Sequence, residues 1–130
     1  PSNNDPRFRR NRIRHEALPL LSHIADRDLV PILSRQAELL RSGAQYISSE
    51  AEKIDPTDSR ALIEAPTILS REAIRNWIWK TRKDDHPPDL ATIDRVLDVA
   101  YLRAVATEIG NGWRVARTDR ILRIERPEAI

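Results

Sequence analysis

The sequence predicts an α+β fold, mainly α, with long helices packed on a small sheet in the order helix, long helix, strand, two helices, strands. Three observations lead there. Apolar residues recur every three or four positions over a long stretch, 29–54, and again over 69–78 and 90–100. Beyond Ala104 the period drops to two, and Gly110-Asn111-Gly112 interrupts it with a tight-turn signal. No stretch repeats another.

Ser2, Asn3, Asn4, Asp5 and Pro6 stand before a run of helix formers. Their short oxygens can accept the N–H groups an opening helix leaves unpaired, so a helix is expected from about Pro6 or Arg7. Five arginines fall within the next eight positions. At roughly 100° per residue, Arg7, Arg10 and Arg14 share a side with Asn11 beside them, while Arg9 and Arg12 point largely away. Such forks clamp phosphates or carboxylates, each through two parallel charge-assisted hydrogen bonds. A solvated charged face is the plainer reading. Pro19 should end or kink this helix near Leu18.

After a turn over 22–27, Asp28 can cap the next helix and set Pro31 in its first turn, where a missing N–H is harmless. Leu29, Leu33, Leu40, Ala44, Ile47, Ala51 and Ile54 then form one seam, with Gln36 as its polar step. About 26 residues at 1.5 Å each give a strut of about 39 Å. Gly43 within it costs about 1 kcal/mol relative to Ala. The seam suits packing within its own domain, or else a coiled coil; helix 28–54 is therefore also the place for self-association.

Asp55-Pro56-Thr57-Asp58-Ser59 stops the helix, and 61–65 reads as a short strand closed by Pro66. Ser70 is expected to cap a third helix with Leu69, Ala73, Ile74, Trp77 and Ile78 on its core face. Arg71, Arg75 and Arg82 lie off that face, and Lys80, Arg82 and Lys83 suit the negative end of the helix dipole. Trp79 also falls off the core face: it is either partly buried under the sheet or a stacking contact for an RNA base between phosphate-binding cations. Asp89 caps a fourth helix, after which Val105, Thr107, Ile109 and then Trp113, Val115, Arg117 alternate into a meander ending at 121–124. Residues 127–130 read as a tail.

Composition narrows the function. With 130 residues, 40% apolar and 32% charged, the chain fits a globular fold with a modest core. No apolar run approaches the roughly 20 residues of a membrane span, and there is no signal-peptide pattern, so a cytoplasmic protein without a membrane partner is expected. Having no cysteine, it offers no thiol nucleophile and no thiolate metal site. A net charge of +2 means that a basic surface must arise from distribution: residues 1–23 hold five arginines against Asp5 and Glu16. His15-Glu16 begins a zincin-like pattern, but Pro19 occupies the place of its second histidine. His23 and His86 lack a ligand at metal spacing, and Asp84-Asp85 reads as a solvated loop, so no metal is expected.

The order Ser2-Asn3-x-Asp5, Arg10-Asn11-x-x-Arg14, Leu18-Pro19-x-Leu21 resembles the segment that closes the catalytic domain of the bacterial tRNA(Ile)-lysidine synthetases. The resemblance implies that Asn3, Arg10 and Arg14 face the active site of a ligase that uses ATP with Mg to join lysine to the wobble cytidine of isoleucine tRNA. It implies that Asn11 supports the turn around them, and that Arg7, Arg9 and Arg12 contact the tRNA backbone. Arg71, Arg75, Trp79, Lys80, Arg82 and Lys83 form a second candidate patch. More weakly, the third helix, the Pro-rich loop, the fourth helix and the glycine-turned hairpin are similar to the substrate-binding domain of that family. The expected division is then 1–24 as the end of a catalytic domain of the PP-loop kind, 25–126 as a helical tRNA-binding domain, and 127–130 as tail. The family's Ser-Gly-Gly-x-Asp-Ser loop is absent from the sequence. The chain is therefore expected to be a fragment, inactive alone and holding no cofactor itself. A non-enzymatic nucleic-acid-binding module with a basic arm, or a helical interaction domain, are the alternatives.

Overall fold

A computed structural model of the chain describes residues 6–128. Helix α1 (Pro6–Arg12) runs through one π-helical turn (Ile13–Ala17) into α2 (Leu18–Ile24), followed by α3 (Val30–Ala51), α4 (Ser59–Glu64), α5 (Thr67–Arg82) and α6 (Leu90–Ala100). Strands β1 (Ala106–Gly110), β2 (Trp113–Thr118) and β3 (Ile121–Glu125) complete the chain. The fold is mainly α with a small antiparallel sheet, as the periodicities predicted. It divides into two compact units, Pro1–Ala44 and Gln45–Ile130.

In the first unit the helix does not stop at Pro19. The turn just before that residue widens instead, the Leu18 N–H donating to the Ile13 carbonyl five residues back. Pro19 has no N–H to give, and a wide turn accommodates its ring against the preceding carbonyls. The chain therefore stays helical to Ile24, and the turn predicted over 22–27 begins only afterwards. Ser22 accepts the Leu29 N–H and Asp28 accepts the Val30 N–H, both at 3.0 Å, so the expected cap at Asp28 stands. Neither α1, the wide turn nor α2 buries a residue. The seam of α3 was expected to pack, yet Leu33 is exposed and Leu40 is 73% exposed; the helix first buries a residue at Ala51.

The second unit holds the core. Leu62 from α4, Ala73, Ile74 and Ile78 from α5, and Ile93, Val96, Leu97, Val99 and Ala100 from α6 close over Ile109, Val115 and Leu122 of the sheet. Trp77 and Trp113 pack against this cluster and remain partly exposed. The sheet is a plain meander in the order β1-β2-β3, turning at Asn111-Gly112 and at Asp119-Arg120. Positive φ at Gly110, Asn111 and Gly112 explains why glycine and asparagine stand at the first turn.

Two readings of the sequence are corrected here. Residues 61–65 are not a strand; they lie in and just after α4, which the Asp58 carboxylate caps by accepting the Arg60 N–H at 2.9 Å. The sheet gains its extra pairing from the residues before it, where Ser59 N–H donates to the Arg120 carbonyl and Leu122 N–H to that of Thr57. Ser70 does not cap α5. That helix opens three residues earlier behind Pro66, whose carbonyl accepts from Leu69 and Ser70, while the buried Ser70 hydroxyl donates to the Leu62 carbonyl at 2.7 Å.

Candidate nucleic-acid interface

Arg7, Arg9, Arg10, Arg12 and Arg14 are all exposed on α1 and the wide turn. Arg12 reaches along the helix to Glu16 (Nε to Oε2, 2.8 Å), a one-turn pair in full solvent. Arg10 and Arg14 make no ion pair among the described residues. The wide turn carries Arg14 and inserts one extra residue. Everything after it is thereby rotated by roughly 100° relative to a regular helix, whereas Arg7 and Arg10 before it are not. Losing Leu18 to Ile13 also deprives the Arg14 carbonyl of its usual donor. Asn3, assigned to the active site by resemblance, lies outside the described residues.

In the second unit, Arg71, Arg75 and Trp79 succeed one another every four residues along one row of α5, as their spacing requires. Arg71 forks onto Asp94 of α6, Nε to Oδ1 at 2.9 Å and Nη2 to Oδ2 at 3.2 Å. Arg75 stands 5.3 Å over the Trp79 ring and 3.5 Å from Glu72. The Trp79 indole N–H donates to the Asp84 carbonyl at 2.9 Å, which fixes the ring while 37% of the residue stays exposed. Cation and ring thus present one amphipathic surface. Lys80 and Lys83 are exposed and make no ion pair among the described residues, and Lys83 closes the helix in the left-handed conformation.

Arg82 is placed differently from its neighbours. Its side chain is only 8% exposed and donates from Nη1 to the Ile109 carbonyl, tying the end of α5 to β1. Asp84 Oδ2 lies 2.8 Å from Arg82 Nε but off the N–H axis, an ion pair without a directed hydrogen bond. A guanidinium so enclosed is a strut of the hairpin, and it is not available to a ligand as the exposed Lys80 and Lys83 are.

Sequence reasoning passed over further cations. On the outer side of the sheet Arg114 and Arg123 both reach Glu125, and Arg123 also donates to Thr118 Oγ1 at 2.5 Å. The Arg114 hydrogen bond, reinforced by the charge of both guanidiniums, holds the Glu125 carboxyl below the ordinary carboxylate range. Arg103 lies 5.6 Å over the Tyr101 ring and pairs with Asp98 at 3.2 Å. Period-two alternation signals the strand positions of Arg114 and Arg123, but nothing local signals that Arg103 returns to α6.

The three glycines are Gly43 inside α3 and Gly110 and Gly112 at the hairpin, so there is no glycine loop to cradle phosphates. No group of three His, Asp or Glu among the described residues could hold a metal ion. No described helix is long and apolar enough to cross a membrane.

Among curated proteins the chain is similar to the tRNA(Ile)-lysidine synthase of Rhodococcus erythropolis, 38% identical over 85 residues, which is 60% of this chain and 26% of that protein. It is similar to that of Mycobacterium leprae at 34% over 85 residues, with the same coverage of both chains. With that of Thermobifida fusca it shares 40% over 69 residues, 53% of this chain and 20% of that protein. The likeness covers 53 to 60% of this chain, and the matched part spans about a quarter or less of each relative. No family model matches the chain.

Proposed function

We propose that this chain is the tRNA-contacting part of a tRNA(Ile)-lysidine synthase. The whole protein would be an ATP-dependent ligase of the cytoplasm, joining lysine to the wobble cytidine of an isoleucine tRNA with a CAU anticodon. The observation that carries the reading is the exposed arginine helix with the spelling described above, supported by the likeness to synthases of that name. Arg10 and Arg14, with Asn3, are assigned to the reacting end of the tRNA, and Arg7, Arg9 and Arg12 to its backbone. On the second unit Arg75 with Trp79, Lys80 and Lys83 form the second contact, Arg71 lies beside them in its pair with Asp94, and Arg82 holds the hairpin behind them. ATP and Mg belong to parts of the enzyme this chain does not supply, so the chain alone should be inactive.

The test is binding of the chain to CAU isoleucine tRNA and to elongator methionine tRNA across a salt series. Preference for the isoleucine tRNA near physiological salt supports the reading, and failure to bind either overturns it. The arginines should separate by role. Arg9→Ala should weaken both tRNAs alike and lower the salt slope by about one. Arg14→Ala, in the full-length synthase, should reduce turnover more than tRNA affinity. Equal effects would remove Arg14 from the chemistry.

A second reading, self-association through α3, is favoured by its exposed row Val30, Leu33 and Leu40. Sedimentation that does not change with concentration would dismiss it.

A further inference from the structure

Two hollows of the second unit meet at Tyr101. The larger, about 410 Å³, lies between Arg71 of α5 and Asp94 and Asp98 of α6. The other, about 360 Å³, continues past Tyr101 and Arg103 to Ile63 and Ala65. Each is of the size that admits a small ligand. Their chemistry differs, the first being set with charged pairs and the second flanked by an aliphatic side chain and a ring.

The charged groups cancel. Arg71 is forked on Asp94 and Arg103 is paired with Asp98, so two guanidiniums face two carboxylates. Such a cleft has little long-range pull on phosphate and would repel an isolated anion from half its wall. Both pairs are nevertheless wet: Arg71 and Asp94 are each 43% exposed, leaving N–H groups and lone pairs unspent. A fitting ligand must carry an anion, hydroxyl donors and a flat apolar surface together.

We propose that this cleft binds one unpaired ribonucleotide of the RNA. The proposal rests on the tRNA reading above and adds to it a site outside the arginine helix, which shares only Arg71 with the Trp79 row. The phosphate takes the remaining N–H groups of Arg71 and Arg103. The ribose 2′-hydroxyl, which stays free within an RNA chain, donates to Asp98, a contact that distinguishes RNA from DNA. The base lies in the second hollow beside Ile63, stacking on the Arg103 guanidinium that itself lies 5.6 Å over the Tyr101 ring. A carboxylate that would only weaken a general phosphate clamp becomes the sugar-reading element.

The experiment is an amide NMR titration of the whole chain with cytidine 5′-monophosphate, its 2′-deoxy counterpart and inorganic phosphate. The ribonucleotide should shift Thr67, Arg71, Asp98, Tyr101 and Arg103, and should bind about 2- to 10-fold more tightly than the deoxy form, the range one hydrogen bond supplies. Asp98→Asn and Arg103→Ala alter exposed side chains and should leave the fold intact: the first should shrink the ribose preference and the second should weaken both nucleotides. Equal binding of the three probes, or shifts confined to the arginine helix, would overturn the site. If tRNA still binds while the cleft stays silent, the cleft alone fails. If tRNA binding is lost too, the failure reaches the functional reading itself.

Discussion

Ser59 and Ser70 are the buried polar side chains among the described residues, and each is spent on a helix end. Ser59 donates to the Ala100 carbonyl at 2.5 Å and Ser70 to that of Leu62, carbonyls that the last turns of α6 and α4 leave without a helical donor. Ser70→Ala strands the Leu62 oxygen in the core and should cost about 1 to 3 kcal/mol, read as a lower denaturant midpoint at unchanged slope. Glu125 makes a pH-dependent contribution instead. Its carboxyl titrates below the ordinary value in the folded chain, so the stability it adds is present above that ordinary value and is lost as pH falls through the folded one. Glu125→Gln should therefore flatten the acid limb of a plot of melting temperature against pH. The Asp89 carboxyl, held down by hydrogen bonds from Thr92, keeps part of that limb in place. Because Arg114 and Arg123 are exposed, added salt should narrow the difference between the two proteins.

Among the elements, the wide turn before Pro19 bears most directly on the proposed function, because it carries Arg14. Pro19→Ala restores an N–H and removes the ring, allowing a regular helix to run from α1 into α2. Circular dichroism should then show equal or greater helicity, while in the proposed full-length synthase turnover should fall more than tRNA affinity. Unchanged turnover would mean that the wide turn does not aim Arg14. The sequence announced a break at this position but not its form, since a proline in a helical pattern can stop, kink or widen the helix and neighbouring packing decides. At α4 the difficulty was length. Six residues between Ser59 and Glu64 cannot display a helical period, and the apolar pair Leu62-Ile63 suggested a strand, although the capping Asp58 was in plain view. For α6 and the meander, apolar periodicity and the Asn-Gly turn agree with the packing, because each depends on local order alone. The arginine helix was legible because it depends on local order; the Arg71–Asp94 and Arg103–Asp98 pairings were not, because they depend on how α5, α6 and the loop after α6 come together.

Across the whole chain the two units differ in kind. The first carries eight arginines against five carboxylates, while the second has 14 cations against 15 carboxylates, which explains how a chain of net charge +2 can present a distinctly basic arm. They differ equally in cohesion. The second unit owns the buried cluster, whereas α1, the wide turn and α2 bury nothing and leave Phe8, Ile13 and Ile24 exposed, the last at 71%. Short helices without tertiary support are marginal in water. Trp77, Trp79 and Trp113 all lie in the second unit, so tryptophan fluorescence reports that unit alone while far-ultraviolet circular dichroism reports both. On heating, helical signal should decline gradually from low temperature, ahead of one cooperative fluorescence transition. Coincident curves would show instead that the chain melts as a single cooperative body. If tRNA binds the arm as proposed, saturating tRNA should raise the temperature of the early decline, since a ligand that binds only the ordered arm stabilises it by mass action. If tRNA moved only the fluorescence transition, the contact would lie in the second unit and the RNA-binding role proposed for the arginine helix would fall.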